Sequence, residues 1–414
     1  MEEKRQAVVI GAGIVGICVA AYLSEAGLDV TVCDRTGICE ETSSGNQAAL
    51  AFSDIMPLAT KGLLASVPRW LADPEGPLRL PAGYAPKMLP WLIRFALEGR
   101  PARRARSIGA QTAMMALAET EMMNLLRRAG ASELVHHDGS LELYESEAEL
   151  KAALPQWRYR EAAGIAFEHI RGARLADYQP GLSPRFVAAT FVPGWKTVSD
   201  PRRTGLAIWA HAEMLGARFA KGRARSIAQE GERVVVRMDD MPDRDADLVV
   251  IAAGAWSHFL TRLTGDVIPL ETERGYNTTF PRGAFDLRRQ LVFVRHGFVA
   301  TPISSGVRIG GAVEFGGLDR PPDYIRARMM VEKAKRFLLG LKTESGREWM
   351  GYRPSLPDSL PVIGRSRASP QVLYAFGHGH LGLTQSAATG RLIRDLVTGE
   401  KPAIDITPFS PQRF

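Results

Sequence analysis

The chain opens on a short apolar, β-branched run at 6–10 (QAVVI), the composition of a strand buried on both faces. It leads into Gly11-Ala12-Gly13-Ile14-Val15-Gly16. The apolar positions beyond predict a helix to about Ala26, stopped by Gly27. A second strand follows at 28–33 (LDVTVC) and ends at Asp34, which completes a βαβ start. The pattern then loosens. Residues 57–90 are rich in Pro and Gly and read as irregular; 88–97 and 110–129 carry helical spacing; 141–144 and 185–192 read as strands. A helix at 201–215 has Asp200 as its N-cap and Pro201 at its first position. Strands are predicted at 233–238 and 246–252, then as an antiparallel set at 276–280, 291–294, 298–302 and 307–309. A helix at 322–340, a strand at 371–376 and a helix at 381–397 close the chain. This order predicts one nucleotide domain built from distant segments, with a second domain inserted.

Composition narrows the class. With 414 residues, 45% hydrophobic and 23% charged, the chain is an ordinary globular protein of two or three domains. Disorder, collagen and coiled coil are excluded. The balance of 52 basic to 45 acidic residues suits a small anionic ligand or an anionic membrane surface better than nucleic acid. Three cysteines, Cys18, Cys33 and Cys39, supply no disulfide framework and point to a reducing compartment. Residues 7–23 hold no charge and approach the length of a membrane span, but their glycines fit a strand-to-helix turn better. The expectation is a cytoplasmic chain without a targeting segment. The stretch 91–106 (WLIRFALEGRPARRAR) supports two readings. It is a peripheral contact with the inner face of the plasma membrane, or a core helix followed by a solvated Arg loop.

The G-x-G-x-x-G of Gly11, Gly13 and Gly16 has a physical purpose. It allows a tight turn, a close backbone approach to a pyrophosphate and close helix packing, with the helix N-terminus facing the phosphates. Asp34 lies 18 positions after Gly16, where a carboxylate accepts from ribose hydroxyls. The loop 41–48 (ETSSGNQA) offers hydroxyls and amides. No metal constellation stands out, and His136-His137 reads as a pair in a turn.

Further blocks carry a resemblance: 249–257 (VVIAAGAWS), the GYRP of 351–354, the PDSLPVIG of 357–364 and the GHGHLGLT of 377–384. Together with the glycine loop they resemble the FAD-dependent D-amino-acid oxidase superfamily, and within it the bacterial D-amino-acid dehydrogenases, over nearly the whole chain. The resemblance implies an α/β fold: a Rossmann-like FAD-binding domain of the glutathione-reductase type, with an inserted α+β, mixed-sheet substrate domain. The boundaries expected are 1–85, 195–265 and 345–414 for FAD, and 86–194 and 266–344 for substrate. It implies oxidation of a C–N bond by hydride transfer to flavin N5, then hydrolysis of the imino acid to a 2-oxo acid. Electrons pass to a quinone or another acceptor.

Residue by residue, the resemblance assigns cofactor contacts to Gly11, Ala12, Gly13, Ile14, Val15, Gly16, Asp34, Arg35, Ser43, Ser44, Gly45, Asn46, Gln47 and Ala48. It adds Ala224, Gly254, Gly377, His378, Gly379, His380, Leu381, Gly382, Leu383 and Thr384. Catalytic positions are Arg353, Tyr276 and His378; substrate contacts are Arg353, Tyr276 and His380. Arg353 matches the arginine that clamps a substrate carboxylate, where a guanidinium fork forms two parallel hydrogen bonds. Tyr276 is expected to donate its hydroxyl to the same carboxylate, or to be a core tyrosine. His378 is expected to pack beside the flavin. His380 stands where the dehydrogenases commonly have threonine, which leaves the substrate range open. No Cys follows Cys39 and no His precedes His136, so noncovalent FAD is expected. Three functions remain in view: a D-amino-acid dehydrogenase, with D-proline or cis-4-hydroxy-D-proline as alternative substrates; a sarcosine- or glycine-type oxidase; or a flavoprotein without amine oxidation.

Overall fold

The computed structural model describes residues 4–60, 78–239 and 241–414. Of the stretch expected to be irregular, 61–77 lie outside the described residues. Strand Gln6–Ile10 pairs in parallel with Asp29–Asp34 on one side and Leu248–Ile251 on the other. Arg218–Lys221, Val372–Phe376 and the antiparallel Val362–Arg365 extend these to six strands. One sheet thus gathers strands hundreds of residues apart. Its central strands Gln6–Ile10, Leu248–Ile251 and Val372–Phe376 are almost wholly apolar because both faces are covered, whereas the edge strand Arg218–Lys221 carries exposed charges. Ala7 and Val9 pack under helices Ile14–Glu25, Pro201–Met214 and Gly382–Thr398. Val8 and Ile10 pack against a three-stranded sheet that includes Val234, Val236 and Ala246. The near-membrane-length run at 7–23 resolves into this strand and a helix buried almost all round. No helix among the described residues is long and apolar enough to cross a membrane.

A second, mixed sheet of nine strands forms the other layer. Its path runs Arg347–Ser355, Glu271–Pro281, Gly306–Phe315, Phe298–Ile303, Gln290–Phe293, Ser140–Tyr144, Ala188–Val192, Glu168–Arg171. Gln290–Phe293 and Ser140–Tyr144 run parallel where the halves join. Helix Ile325–Phe337 covers one face through Ala327, Met330, Ala334 and Phe337.

Several expected boundaries move. Arg347–Ser355, expected in the nucleotide domain, is an edge strand of the nine-stranded sheet, paired along Glu271–Pro281. Leu78–Arg79 also joins that sheet, so the first segment ends before residue 85. Helix Pro101–Arg128, expected in the substrate domain, buries Met114, Ala118, Met122 and Leu125 in the nucleotide-domain core. The Arg loop expected within 91–106 is helical from Pro101, with Arg103 and Arg106 exposed and Arg104 lying over Tyr159. Ala85–Glu98 is also longer than predicted and packs Met88 and Trp91 against Phe315. His136 sits in a short strand paired with Thr197 rather than in a turn. Helix Glu147–Ala162 was hidden by its internal Pro155, although Ser146 caps it by accepting from Glu149 N at 3.2 Å.

Candidate functional site

A cavity of about 770 Å³ lies between the two sheets. At its nucleotide end Gly11 holds φ +110°, and a Cβ there would stand 2.4 Å from Ala252 O. A Cβ on Gly16 would stand 1.9 Å from Gly11 O, so the helix rests directly on the loop. The N-cap of that helix, Gly13, offers no side chain and its first turn has no acidic residue, so its positive end turns to the cavity, with Ser43 accepting from Ile14 N. Asp34 accepts from Ala12 N and Thr36 N, both at 2.8 Å, and from the Thr36 hydroxyl at 2.9 Å. A carboxylate has about four acceptor sites, so Asp34 ties down the loop and keeps capacity for a ribose hydroxyl. Arg35 lies over Trp256 at 4.0 Å and pairs with Glu41 at 3.0 Å.

The loop 41–48 bridges the sheets. Ser43 Oγ accepts from Ile14 N at 2.9 Å. Thr42 Oγ1 accepts from Tyr352 N at 3.0 Å and donates to Tyr352 O at 3.1 Å. Asn277 Nδ2 donates to Gly45 O at 2.7 Å. On the far side, Gly379 N donates to Pro354 O at 2.8 Å, which fixes the 377–384 loop to the residue after Arg353. Helix Gly382–Thr398 starts on the cavity wall without a side-chain cap or acidic first turn.

Most expected cofactor residues border this one cavity: Gly11, Gly13, Ile14, Val15, Asp34, Arg35, Ser43, Gly45, Asn46, Gln47, Ala224, Gly254 and His378 through Leu383. Ala12, Gly16, Ser44, Ala48, Gly377 and Thr384 do not. They build the wall from behind. Ala48 O accepts from Val198 N, and Thr384 Oγ1 accepts from Ala51 N at 3.0 Å. The uncapped helix ends, the glycine cradle and the Asp34 carboxylate fit FAD. Trp256, Trp349, Asn277 and Asp54 also border the cavity. Trp256 lies within the 249–257 block, but Trp349, Asn277 and Asp54 are isolated in the sequence and carried no signal.

Among the described residues, Arg353 is the one cation that the nine-stranded sheet places on the wall. Nη1 donates to Ala312 O at 3.0 Å, and its guanidinium lies over Gly275, where a Cβ would stand 2.4 Å from Nη2. Burial pushes its pKa down, and Glu273, its cross-strand neighbour, pushes back. The other buried arginines of this sheet are engaged elsewhere. Arg274 donates to the carbonyls of Gly317, Pro321 and Arg320; Arg308 donates to Asn46 O and to Thr279.

Of the two readings of Tyr276, its hydrogen bonds favour the core tyrosine. Its hydroxyl donates to Glu314 and accepts from Asp323 N at 3.3 Å. Strand alternation explains this: Glu273, Gly275 and Asn277 take the cavity face, while Arg274 and Tyr276 take the opposite one. Burial, with Glu314 beside it, raises the phenol to about 12. Its hydroxyl belongs to the core network rather than to a substrate carboxylate.

His378 is buried, with Nε2 2.8 Å from Thr389 Oγ1, and burial pushes its pKa down to about 3. Below pH ~6.5 the unfolded chain therefore takes up a proton that the folded chain refuses, so stability falls as pH falls. We expect His378→Gln to remove that slope. The stability advantage of wild type over the variant should shrink by about 1.4 kcal/mol per pH unit below ~6.5, read by urea unfolding at pH 7, 6 and 5. A constant difference would mean that His378 is protonated in the fold.

His380 Nε2 lies 3.2 Å from Asp54 Oδ2, and both border the cavity. Burial opposes ionisation of Asp54, but His380, Arg160 at 3.7 Å and the Met56 amide together hold its carboxyl below the usual range. Among the described residues no group of three or more His, Cys, Asp or Glu could hold a metal.

The FAD dependent oxidoreductase family model matches residues 6–396. The chain is 34% identical to a D-amino-acid oxidase of Bradyrhizobium diazoefficiens, with both chains covered in full. It is 30% identical to a D-amino acid dehydrogenase of Sinorhizobium medicae, covering 98% of this chain and 99% of the relative. Among solved structures, glycine oxidase from Geobacillus kaustophilus superposes with TM-score 0.77 at 20% identity, over 99% of this chain and 100% of that one. L-proline dehydrogenase from P. horikoshii gives 0.76 at 20% identity, over 100% and 98%.

Proposed function

Because the chain belongs to the FAD dependent oxidoreductase family, and so is an FAD-binding oxidoreductase, we propose that it oxidises the C–N bond of D-amino acids to imino acids that hydrolyse to 2-oxo acids. Bound FAD supplies the acceptor for the hydride leaving the α-carbon. The observation that carries the reading is Arg353, the one cation among the described residues that the substrate sheet presents to the cavity. Its fork pairs with a carboxylate and so fixes the α-carbon in the cavity. Gly11, Gly13, Asp34, Ser43 and the two uncapped helix starts hold the cofactor. Val292, Phe293, Phe298 and Val299 give the substrate end an apolar wall for the side chain, which D-proline or cis-4-hydroxy-D-proline would also fill. The D configuration is taken from the named activities of the two bacterial relatives.

The test is an anaerobic screen of D-amino, L-amino and N-methyl acids for bleaching of the bound flavin. D-amino acids, D-proline included, should bleach it. Bleaching only by glycine and N-methyl acids would turn the reading to a sarcosine- or glycine-type oxidase. Electrons then pass to a quinone or an artificial dye faster than to oxygen. Exposed Leu89 and Ile93, flanked by Lys87 and Arg94, give a peripheral surface for membrane contact. The relative named an oxidase supports the opposite acceptor. Peroxide formed at the rate of dye reduction would decide for oxygen.

FAD is held noncovalently. Of the three cysteines, only Cys33 borders the cavity, and burial raises its thiol to about 11. Acid precipitation should release all the yellow colour into the supernatant. Colour retained in the pellet would mean a covalent link.

A further inference from the structure

An amino acid enters such a cavity as an ammonium, and an ammonium cannot lose hydride from its α-carbon. Its nitrogen lone pair is locked in an N–H bond, yet that pair must become the new C=N bond. Something must take the proton. His378 is unsuited, because it is buried on Thr389 and held neutral far below its usual range. Arg353 is a cation. Two groups remain on the substrate side of the wall: Glu273, facing Arg353 across the strands, and the His380–Asp54 pair.

We propose that His380 is the proton acceptor for the substrate ammonium and that Asp54 positions it. The proposal rests on the amino-acid reading above. An ionised carboxylate only accepts, so Asp54 fixes the proton of His380 on Nε2 and leaves Nδ1 bare. Asp54 is itself held by Arg160, whose Nε donates to Ser53 O at 3.2 Å and whose guanidinium lies over Trp157 at 4.6 Å. Glu142 faces Arg160 and Asp54 from strand Ser140–Tyr144; burial pushes its pKa up, and Arg160 and the Tyr144 hydroxyl push back. The titratable and charged groups around the imidazole are thus Asp54, Arg160 and Glu142, with Arg353 and Glu273 also on the cavity lining. The hydrogen bond from Gly379 N to Pro354 O keeps His380 and Arg353 on neighbouring pieces of one wall.

The step balances. One ammonium N–H bond breaks and its proton goes to His380 Nδ1. The freed lone pair forms C=N as the α-C–H bond breaks and its electron pair leaves as hydride to FAD. Asp54 balances the imidazolium charge. The side chain of His380 is 37% exposed, so water can then collect the proton.

The experiment is anaerobic flavin reduction followed against pH in the holoenzyme. Wild type should show an acid limb of unit slope. His380→Asn should move that limb to higher pH and slow reduction at pH 7 by ~10²-fold or more, the usual worth of a general base. Asp54→Asn should slow reduction as well, by less, because His380 keeps its imidazole but loses the partner that orients it. Free imidazole should restore part of the rate of His380→Gly. In resting enzyme, the His380 ring nitrogen NMR shifts should report a neutral ring protonated on Nε2 in wild type and lose that preference in Asp54→Asn, a reading that needs no turnover. The proposal is overturned if the His380→Asn profile superimposes on wild type with only KM changed, or if Glu273→Gln moves the limb instead. Failure of every amino acid to bleach wild type would sink the amino-acid reading, whatever the His380 signal does.

Discussion

Arg353→Met should keep its FAD and lose at least ~10²-fold in kcat/KM for amino acids, since each charge-assisted hydrogen bond is worth ~1.5–3 kcal/mol and the clamp makes two. Both KM and the flavin reduction rate should suffer, because the same fork that binds the carboxylate aims the α-C–H. Lysine should recover only part of the loss, being a point charge without the fork. A neutral amine without a carboxylate should be affected far less. No nearby arginine can substitute, because Arg274 and Arg308 are engaged with backbone carbonyls and Thr279. Gly275→Ala should reproduce much of the defect, as its Cβ would stand 2.4 Å from the Arg353 guanidinium and push it aside. Near-normal turnover by Arg353→Met, with stereochemical preference intact, would make Arg353 structural.

The second large effect belongs to Gly16→Ala. The added methyl would stand 1.9 Å from Gly11 O, a backbone atom that cannot swing away. Helix and loop must part, at a cost of typically 1–3 kcal/mol for overpacking. Because the loop and the helix start form the pyrophosphate cradle, much of that distortion falls on FAD binding, which should weaken by roughly 10–10²-fold. FAD titration of the apoprotein measures it, with far-UV circular dichroism to confirm that the chain still folds. A variant that holds stoichiometric FAD with wild-type affinity would show that the close contact is dispensable.

Much of the nucleotide half was legible because its signals are local. The βαβ start, Gly11 and Gly16, and the Asp200 cap each depend on residues within a turn of one another, and all stand where the pattern put them. Prolines inside helices show where packing decides instead: Pro90 lies within the helix predicted at 88–97, and Pro155 within Glu147–Ala162, which the pattern did not predict. Both lie inside helices whose tertiary packing outweighs the local cost, with Trp91 and Trp157 buried beside them.

What the sequence by itself determined, then, is the family, its cofactor, and the side chains that gather around one cavity. It did so because phosphate cradles and carboxylate clamps need particular residues at short, fixed spacings. Tertiary structure alone decided which way those side chains face. Tyr276 and Arg353 sit on neighbouring strands of one sheet, yet alternation sends the tyrosine hydroxyl to Glu314 and the guanidinium to the cavity. Pairing along Glu271–Pro281 moved the GYRP segment into the substrate sheet, and packing moved helix Pro101–Arg128 out of that domain. Asp54 and His380 are 326 positions apart, and no spacing rule connects them. Only the closing of the 377–384 loop onto Pro354 and the wall around Ser53 and Arg160 brings that pair together.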